Sequence, residues 1–490
     1  MYLADPAVSE AAVGQRVEAL SVLLDCYERD LPPSTCVRFL QGLRSITNAL
    51  VTFHRENLSR VRANNEDDLT TRDEQIVFYS NIVLRVLVNI HEEYLPFLDS
   101  GTHQKEYSVL PSIQRVVALF EKDVEITLIP QFEYCYGFVG FHRFVSRVLD
   151  TLEKHLPRPF TNEWTQITTV AASPKMMAFL LYPVAEGTSA LRLTVLAHEL
   201  VHVVDHLELL YRQCLPLKLE TESFNGLVDG WLESRVGTAH KAGADKPLTL
   251  GQIFPKAELE AKLFKECNSM VESWLRELIA DTLAVQIVGP AYYFAFVEFL
   301  AHAAADNKSD REHDQPGFRL KLIFEELAHL GYFDVDNPLS TMLHESRSQL
   351  EEEKAENYDP KALVVHKTIS QNLAGIQQKL RVFVGKSKAA FSVTKYNEEV
   401  PHIVARLMRG VSPAEWHDPG TSSVRTSSVV GILNAGWQVY KDSFGDFCSL
   451  FSAAVPTAER LVNLNELVFH AIESSEVVRL WNRMEVKDQR

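Results

Sequence analysis

The stretch Leu196-Ala-His-Glu-Leu-Val-His-Val-Val-Asp-His-Leu-Glu208 decides the fold of the central part of this chain, because it combines apolar residues at helical spacing with closely spaced histidines and acidic residues. Its apolar residues recur at steps of three and four, which predicts a helix with one buried face. These residues are Leu196, Leu200, Val203, Leu207 and Leu210. Thr188 or Ser189 is expected to supply a hydroxyl that caps the start of the helix.

His198 and His202 lie four residues apart, on a face next to the apolar one. Both imidazoles can therefore reach one tetrahedral ion, and Glu199 between them can act as general base on a water at the remaining position. The chain contains 17 histidines, so an ordinary pair of surface or core histidines is the alternative interpretation. The motif supplies only two ligands, whereas a catalytic zinc site takes three from the protein.

A second helix is predicted over residues 271–288, where apolar residues again follow helical spacing. Ser269 and Glu272 have the spacing of a capping box at its start. Gly289-Pro290 is expected to end it, because glycine closes helices and proline cannot continue them.

Glu277 and Asp281 share one face of this second helix. Glu277 is the candidate third ligand. Asp281 is the candidate acceptor for the free N–H of a ligand histidine, which would fix the tautomer of that histidine and raise its basicity. A solvated polar face on an amphipathic helix is the alternative interpretation of this pair.

Together these residues resemble the gluzincin metallopeptidases, whose signature is His-Glu-x-x-His followed by Glu-x-x-x-Asp on a later helix. The form Glu277-Leu-Ile-Ala-Asp281 is most similar to the CAAX prenyl endopeptidases and their bacterial relatives. The resemblance covers roughly residues 165–325. It implies a zincin-like core and one Zn²⁺ ion per chain, bound by His198, His202 and Glu277.

A further element, His313-Asp-Gln-Pro-Gly-Phe-Arg319, resembles a His-Pro-x-x-x-x-Arg element of the same family. Asp314 stands where the family usually has proline. The resemblance implies that His313 helps to stabilise the oxyanion and that Arg319 organises the site. His313 can also be interpreted as a loop histidine within the charged run 307–314.

Two short apolar runs before the first helix, residues 167–172 and 176–182, predict a β-hairpin. In zincin folds an edge strand binds the substrate backbone by strand addition. The second run is the candidate edge strand, with Met176, Ala178 and Leu180 as candidate substrate contacts. A hydrophobic strand that simply covers the helix is the alternative.

Three other residues can be considered as metal ligands. Glu208 lies where metzincins place their third ligand, but ten residues along a straight helix span about 15 Å, too far for the same ion. His206 and Asp205 can be interpreted as residues that approach the site from behind the ligands or as ones that merely continue the helix face. Neither is expected to be a ligand, because His198 and His202 already use the available geometry.

Composition limits the class of protein. The chain has 490 residues, 46% of them hydrophobic, which is enough for a large core. A net charge of −16 argues against a nucleic-acid partner and favours neutral or basic substrates. No apolar run approaches the length of a spanning helix, and neither an export signal nor a disulfide framework is evident. We therefore expect a cytoplasmic protein.

The fold class predicted from these patterns is mainly α with a small β-sheet (α+β), a zincin-like catalytic core flanked by helical regions. A helical N-terminal region is expected over residues 1–110, the metallopeptidase domain over 111–335, and a helical C-terminal region over 336–490. Strand-like runs at 126–129 and 132–139 are expected to join the catalytic sheet.

The sequence thus predicts a zinc-dependent peptidase that acts on a protein or peptide, with a regulatory protein partner possible through the helical flanks. Two alternatives stay open. One is a catalytically inactive, metal-stabilised regulatory or interaction protein. The other is a zinc hydrolase that acts on an amide or ester other than a peptide bond, since an activated water serves all of these reactions.

Overall fold

A computed structural model gives the structure of this chain. It describes residues 5–30, 37–63, 69–95, 113, 118, 120, 124–131, 135–140, 176–241, 256–302, 310, 313–334, 338–351, 358–387, 389–418 and 423–488. The described residues form two compact units, one comprising 1–114 and 122–184 and the other 115–121 and 185–490.

The first unit contains helices and a small sheet. The helices are α1 (Pro6–Asp30), α2 (Val37–Ala63) and α3 (Leu69–Asn89), and the strands are β1 (Val124–Gln131), β2 (Gly137–Gly140) and β3 (Met176–Pro183). The helices share one apolar core, and Phe179 of β3 belongs to it.

The second unit is almost entirely helical. Its elements are α4 (Leu196–Glu208), α5 (Leu210–Cys214), α6 (Thr221–Lys241), α7 (Lys256–Val288), α8 (Pro290–His302), α9 (Pro316–His329), α10 (Pro338–Glu351), α11 (Pro360–Ser387), α12 (Val393–Leu407), β4 (Glu415–Asp418), β5 (Ser423–Thr426), α13 (Val429–Lys441), α14 (Phe444–Cys448) and α15 (Thr457–Asp488). The predicted fold class, mainly α with a small β-sheet, is confirmed. Among the described helices, none is both long and apolar enough to cross a membrane.

Strand β3 lies in the middle of the three-stranded sheet, which has the order β1-β3-β2. It runs parallel to β1, with Leu128 opposite Leu180, and antiparallel to β2, with Phe138 opposite Leu180. The expectation of a strand near 126–129 is confirmed by β1, and of the run 132–139 the last three residues belong to β2. Residues 132–134 of that run lie outside the described residues. The expectation that 176–182 is an edge strand is wrong, because both sides of β3 are already paired. Its predicted hairpin partner, 167–172, lies outside the described residues.

Helix α4 is buried on more than the predicted apolar face. Val203 and Val204 are fully buried, but His198, Glu199 and Asp205 are also less than 9% exposed. Helix α7 packs along it, so polar residues of α4 face another helix rather than solvent. A helix enclosed in this way needs partners for its buried polar groups, and α7 carries the complementary ones.

The start of α4 differs from the prediction. Its first residues follow a 3-10 turn, Arg192–Val195, and no side chain caps the α-helix itself. The Ser189 hydroxyl instead accepts a hydrogen bond from the backbone N–H of Arg192 at 3.4 Å. The hydroxyl therefore caps the preceding turn, which leads directly into the helix.

Helix α7 begins thirteen residues before the predicted capping box, at Lys256. The Ser269–Glu272 pair consequently lies inside a continuous helix of 33 residues, so its assignment as a helix start is wrong. Leu259, Leu263 and Cys267 explain the extension, because they are buried at steps of four and continue the apolar face towards the N-terminus.

Contacts divide the chain into two units, whereas the three regions expected from the sequence stay a prediction. Residues 185–490 form one unit, so no boundary separates the helices after residue 335 from those before it. Helix α11 packs on α7, and α13 packs on α8. The strands at 124–183 group with the N-terminal helices instead of with the helices of the predicted catalytic domain.

Gly289 ends α7 in the left-handed conformation, with φ at +71°, and Pro290 begins α8. A Cβ at Gly289 would lie 2.9 Å from the Tyr332 hydroxyl and 3.1 Å from Phe391. We expect Gly289→Ala to lower the free energy of unfolding by about 2 kcal/mol, because the left-handed conformation alone costs about 1–2 kcal/mol for a residue with a Cβ. Urea denaturation measures this effect. Gly375→Ala is the control, since a Cβ there meets nothing within 4 Å; an equal loss in both variants would contradict the prediction.

Candidate metal site

Helices α4 and α7 bring three potential ligands to one point. The Nε2 atoms of His198 and His202 are 3.1 Å apart. Glu277 places Oε2 3.1 Å from Nε2 of His198 and Oε1 3.3 Å from Nε2 of His202. One ligand atom from each residue lies within 4.8 Å of the others, and this is a group that can hold a metal ion.

The spacing of these atoms fits a tetrahedral ion. Ligand atoms at about 2.0–2.1 Å from a tetrahedral zinc are about 3.3 Å from one another. The two nitrogens and the nearer carboxylate oxygens are separated by 3.1–3.3 Å. The donor set also fits, because two histidines and one glutamate form a known catalytic zinc set. The two short distances to Glu277 involve different oxygens, Oε2 towards His198 and Oε1 towards His202. The three residues together form a group that could hold a metal ion.

Asp281 lies behind His198, on the side away from Glu277. Its Oδ1 atom is 2.9 Å from Nδ1 of His198. An ionised carboxylate only accepts hydrogen bonds, so Nδ1 carries the proton and Nε2 is directed towards Glu277. The arrangement is the one expected from the Glu-x-x-x-Asp spacing, with one carboxylate at the site and the other behind a ligand histidine.

Arg319 and Tyr292 complete the surroundings of Asp281. The Arg319 guanidinium donates to both carboxylate oxygens, from Nε at 2.7 Å and from Nη2 at 2.8 Å. The Tyr292 hydroxyl donates to Oδ1 at 2.7 Å. Arg319 also lies 3.5 Å from Oε2 of Glu277 and over the ring of Phe296. The fully buried carboxylate of Asp281 thus accepts hydrogen bonds from His198, Tyr292 and Arg319, and these hold it in one position.

Charge and burial act in opposite directions at the site. Burial lowers the pKa of His198, but hydrogen bonds to Asp281 and Glu277 outweigh it and raise the pKa to about 10. Burial raises the pKa of Glu277, yet His198 and His202 hold it well below its usual range. Burial likewise raises the pKa of Asp281, but the charge and hydrogen bonds of Arg319, together with those of His198, outweigh burial and hold this pKa below its usual range. Both carboxylates are consequently ionised, which is the form that attracts a cation.

His313 lies at the edge of the site, before the start of α9. Its Nε2 atom is 3.6 Å from Oε2 of Glu277, and the side chain is 39% exposed. On its other side, Nδ1 is 3.1 Å from Oδ2 of Asp310, and the His313 backbone N–H donates to Oδ1 of Asp310 at 2.7 Å. The carboxylate of Asp310 therefore orients the His313 imidazole, whose Nε2 atom faces the candidate ligand Glu277.

Glu199 is buried, at 8% exposure, although it belongs to the polar part of α4. Within the described part of the chain its carboxylate has neither a hydrogen-bond partner nor an ion pair. It is three residues from His202, which makes the two side chains neighbours along the helix. Its carboxylate is thus not committed to another side chain that the structure describes.

The other ligand candidates on α4 do not join this group. The helix runs without interruption to Glu208, which agrees with excluding that residue on distance. Asp205 accepts the backbone N–H of Tyr211 at 2.8 Å, and burial raises its pKa. Among the residues that the structure describes, the group that could hold a metal comprises His198, His202 and Glu277, without Asp205 or His206.

The predicted substrate contacts belong to the first unit and not to the second, which contains the metal group. Ala178 and Leu180 are fully buried in β3. Met176 occupies the first position of the same strand. Strand β3 pairs with β1 along its whole length and with β2 over residues 178–181, so Ala178 and Leu180 lie where both edges of the strand are paired.

Two groups around the site, Tyr292 and Asp310, are not among the residues predicted from the sequence. Tyr292 follows the helix break at Gly289-Pro290 within an apolar run, where nothing marks its hydroxyl as functional. Asp310 lies three residues before His313, and this spacing is a signal for a carboxylate that orients the imidazole.

Comparison with models of known families, with curated proteins and with solved structures found no match to this chain.

Proposed function

We propose that this protein is a zinc-dependent peptidase of the gluzincin type. The observation that supports this best is the group of His198, His202 and Glu277, with Asp281 hydrogen-bonded behind His198. Two histidines four apart with a glutamate between them, and a third ligand from a separate helix, form the arrangement on which the resemblance rests. The three ligands would leave one tetrahedral position for water.

When bound, zinc would supply a Lewis acid that lowers the pKa of water and polarises a carbonyl oxygen. Glu199 is the residue that accepts the proton of the attacking water. It then donates this proton to the nitrogen of the leaving amine, so that the carboxylate is restored at the end of the reaction. The uncommitted carboxylate of Glu199 suits a group that changes its protonation state twice in each cycle.

The remaining polar residues have different roles. Asp281 holds His198 in one tautomer and orientation, and Arg319 and Tyr292 hold Asp281. The Tyr292 hydroxyl already donates to Asp281, so it is not available to the substrate. His313 is half-exposed and orients Nε2 towards the site, so it is the candidate donor to the developing oxyanion.

Metal analysis of the purified protein followed by cleavage of a peptide library tests this proposal. We expect one zinc per chain and cleavage that stops when a chelator is added. Iron in place of zinc would contradict it, because two histidines and a carboxylate also form the iron site of oxygenases. Zinc without cleavage of any peptide would favour an inactive, metal-stabilised protein or a hydrolase for another amide.

Glu277→Ala is expected to weaken zinc binding by more than the roughly 10- to 100-fold that follows loss of a residue behind a ligand. The reason is that two histidines alone leave the ion without its third protein ligand. Competition with a coloured chelator measures the affinity. Glu272→Ala is the matched control, since it removes an exposed glutamate from the same helix. Equal affinities in the two variants would place the third ligand elsewhere.

A further inference from the structure

Asp314 is a buried carboxylate next to His313, at the position where the chain departs from the family it resembles. Its side chain is 7% exposed. Oδ1 accepts the hydroxyl of Tyr358 at 2.8 Å and the backbone N–H of Gln315 at 2.7 Å. Oδ2 lies 3.1 Å from Nδ1 of His366. A carboxylate buried to this extent is stable only when its oxygens are hydrogen-bonded, and these three donors supply that.

The His366 side chain is itself fixed by aromatic rings on two sides. Tyr358 stacks on it with ring centroids 4.5 Å apart, and Phe318 meets it edge-on at 4.6 Å. Since Oδ2 of Asp314 can only accept, the proton of the imidazole lies on Nδ1. Phe318 belongs to the first turn of α9, one residue before Arg319. The contacts of His366 therefore restrain both the approach to α9 and its first turn.

The segment that bears His313 is also attached at its other end. The indole N–H of Trp274 on α7 donates to the carbonyl oxygen of Asp310 at 3.2 Å. Asp310 in turn holds the backbone and the imidazole of His313. His313 is therefore flanked by two attachment points. On one side Asp310 is bound by Trp274 of α7, one helical turn from Glu277, and on the other side Asp314 is bound by His366 of α11.

We propose that Asp314, held by His366 and Tyr358, is a positioning residue that keeps His313 at the edge of the metal site. The catalytic role of His313 rests on the proposed peptidase function, whereas the attachment of its segment through Asp314, His366 and Tyr358 does not. In the family that this element resembles, proline usually stands at this position, and proline restricts the backbone. Here a carboxylate bound from α11 restrains the same point of the chain by hydrogen bonds.

Asp314, His366 and Ser370 contact one another in the order of the aspartate, histidine and serine of a hydrolytic triad, since the Ser370 hydroxyl lies 3.5 Å from Nε2 of His366. Such a triad also needs N–H donors that face the oxyanion. Ser370 lies inside α11, where the backbone N–H groups donate to carbonyls of the helix. The arrangement therefore favours a structural anchor over a second nucleophilic centre.

His366→Phe and His366→Asn test the anchor. Phenylalanine keeps the ring packing and loses the donor, whereas the amide of asparagine can replace Nδ1 as donor to Asp314. In His366→Phe we expect amide hydrogens of segment 313–319 to exchange about ten times faster, with unchanged zinc content. We also expect kcat to fall by about 10-fold with KM within twofold, in the range for losing a residue that orients a ligand or catalytic group. His366→Asn should restore both towards wild type.

Tyr358→Phe and Tyr332→Phe form a matched pair, since each loses one tyrosyl hydroxyl that donates a hydrogen bond. Only Tyr358→Phe is expected to accelerate exchange in segment 313–319. Unchanged exchange there in His366→Phe, or equal acceleration in Tyr332→Phe, would overturn the anchor. Faster exchange with unchanged kcat would overturn its effect on catalysis. A wild-type protein that cleaves no peptide would count against the peptidase function alone, because the exchange measurement does not depend on activity.

Discussion

Replacing Glu199 with glutamine is expected to lower peptide hydrolysis by about 10²- to 10⁴-fold, the usual contribution of a positioned general base. Glutamine has the shape of glutamate but cannot accept the proton of the attacking water. His198, His202 and Glu277 are unchanged in this variant, so its zinc content should equal that of wild type. Cleavage rates on the best library peptide, measured together with metal content, test both parts of the expectation.

Glu208→Gln is the control for this variant. It makes the same change of glutamate to glutamine at the end of the same helix, nine residues further along and outside the metal group. We expect full activity from it. Full activity in Glu199→Gln as well would eliminate Glu199 as the base. Loss of zinc from Glu199→Gln would mean that the substitution disturbs the site itself, and the activity would then say nothing about proton transfer.

Arg319→Met is expected to lower the free energy of unfolding by about 3–5 kcal/mol, because it removes the bidentate counter-ion of the buried Asp281 carboxylate and leaves only His198 as a cation beside it. Asp281 is fully buried, and Arg319 is its bidentate partner. Urea denaturation in the presence of a chelator measures the effect without a contribution from metal binding. Arg62→Met, which breaks an exposed pair with Glu10, should cost at most about 1 kcal/mol.

The double variant Asp281→Asn, Arg319→Met identifies the cause. Asparagine has no charge, yet its carbonyl oxygen can still accept hydrogen bonds from Tyr292 and His198. The double variant should therefore be more stable than Arg319→Met alone. If the two substitutions were simply additive, the loss in Arg319→Met would come from packing of the long side chain and not from the unpaired carboxylate.

The sequence was sufficient to predict α4 and the end of α7, because helical spacing and the glycine-proline break are local signals. It was misleading for the start of α7, where Ser269 and Glu272 have the spacing of a cap but lie within a helix that Leu259 and Leu263 extend. Local patterns indicate where a cap can form. They do not show whether further apolar residues upstream continue the buried face.

The central position of β3 could not be predicted in the same way. Its neighbour β1 is parallel and precedes it by more than forty residues, so the pairing depends on contacts that are distant in sequence. The composition of residues 176–182 indicates a strand but not the number of its partners. The substrate contacts predicted at Met176, Ala178 and Leu180 required a free edge, and at Ala178 and Leu180 both edges of β3 are paired.

Those residues of the candidate site that lie in pairs on one helix could be predicted from the sequence. His198 with His202, and Glu277 with Asp281, are separated by one helical turn, so spacing alone places each pair on one face. Tyr292, His366 and Tyr358 reach the site region from other elements, and no periodicity connects them with the motif.

The short junction at Gly289-Pro290 determines how many residues can separate Asp281 on α7 from Tyr292 on α8. Tyr292 returns its hydroxyl to Asp281, eleven residues earlier, across this break between two helices. One inserted residue before Tyr292 would turn its side chain by about 100° around the axis of α8 and remove the hydroxyl from Asp281. Relatives that keep this site should therefore show an invariant interval of ten residues between the aspartate and the tyrosine. Added to the two helical motifs, this interval provides a pattern for finding them in genomes.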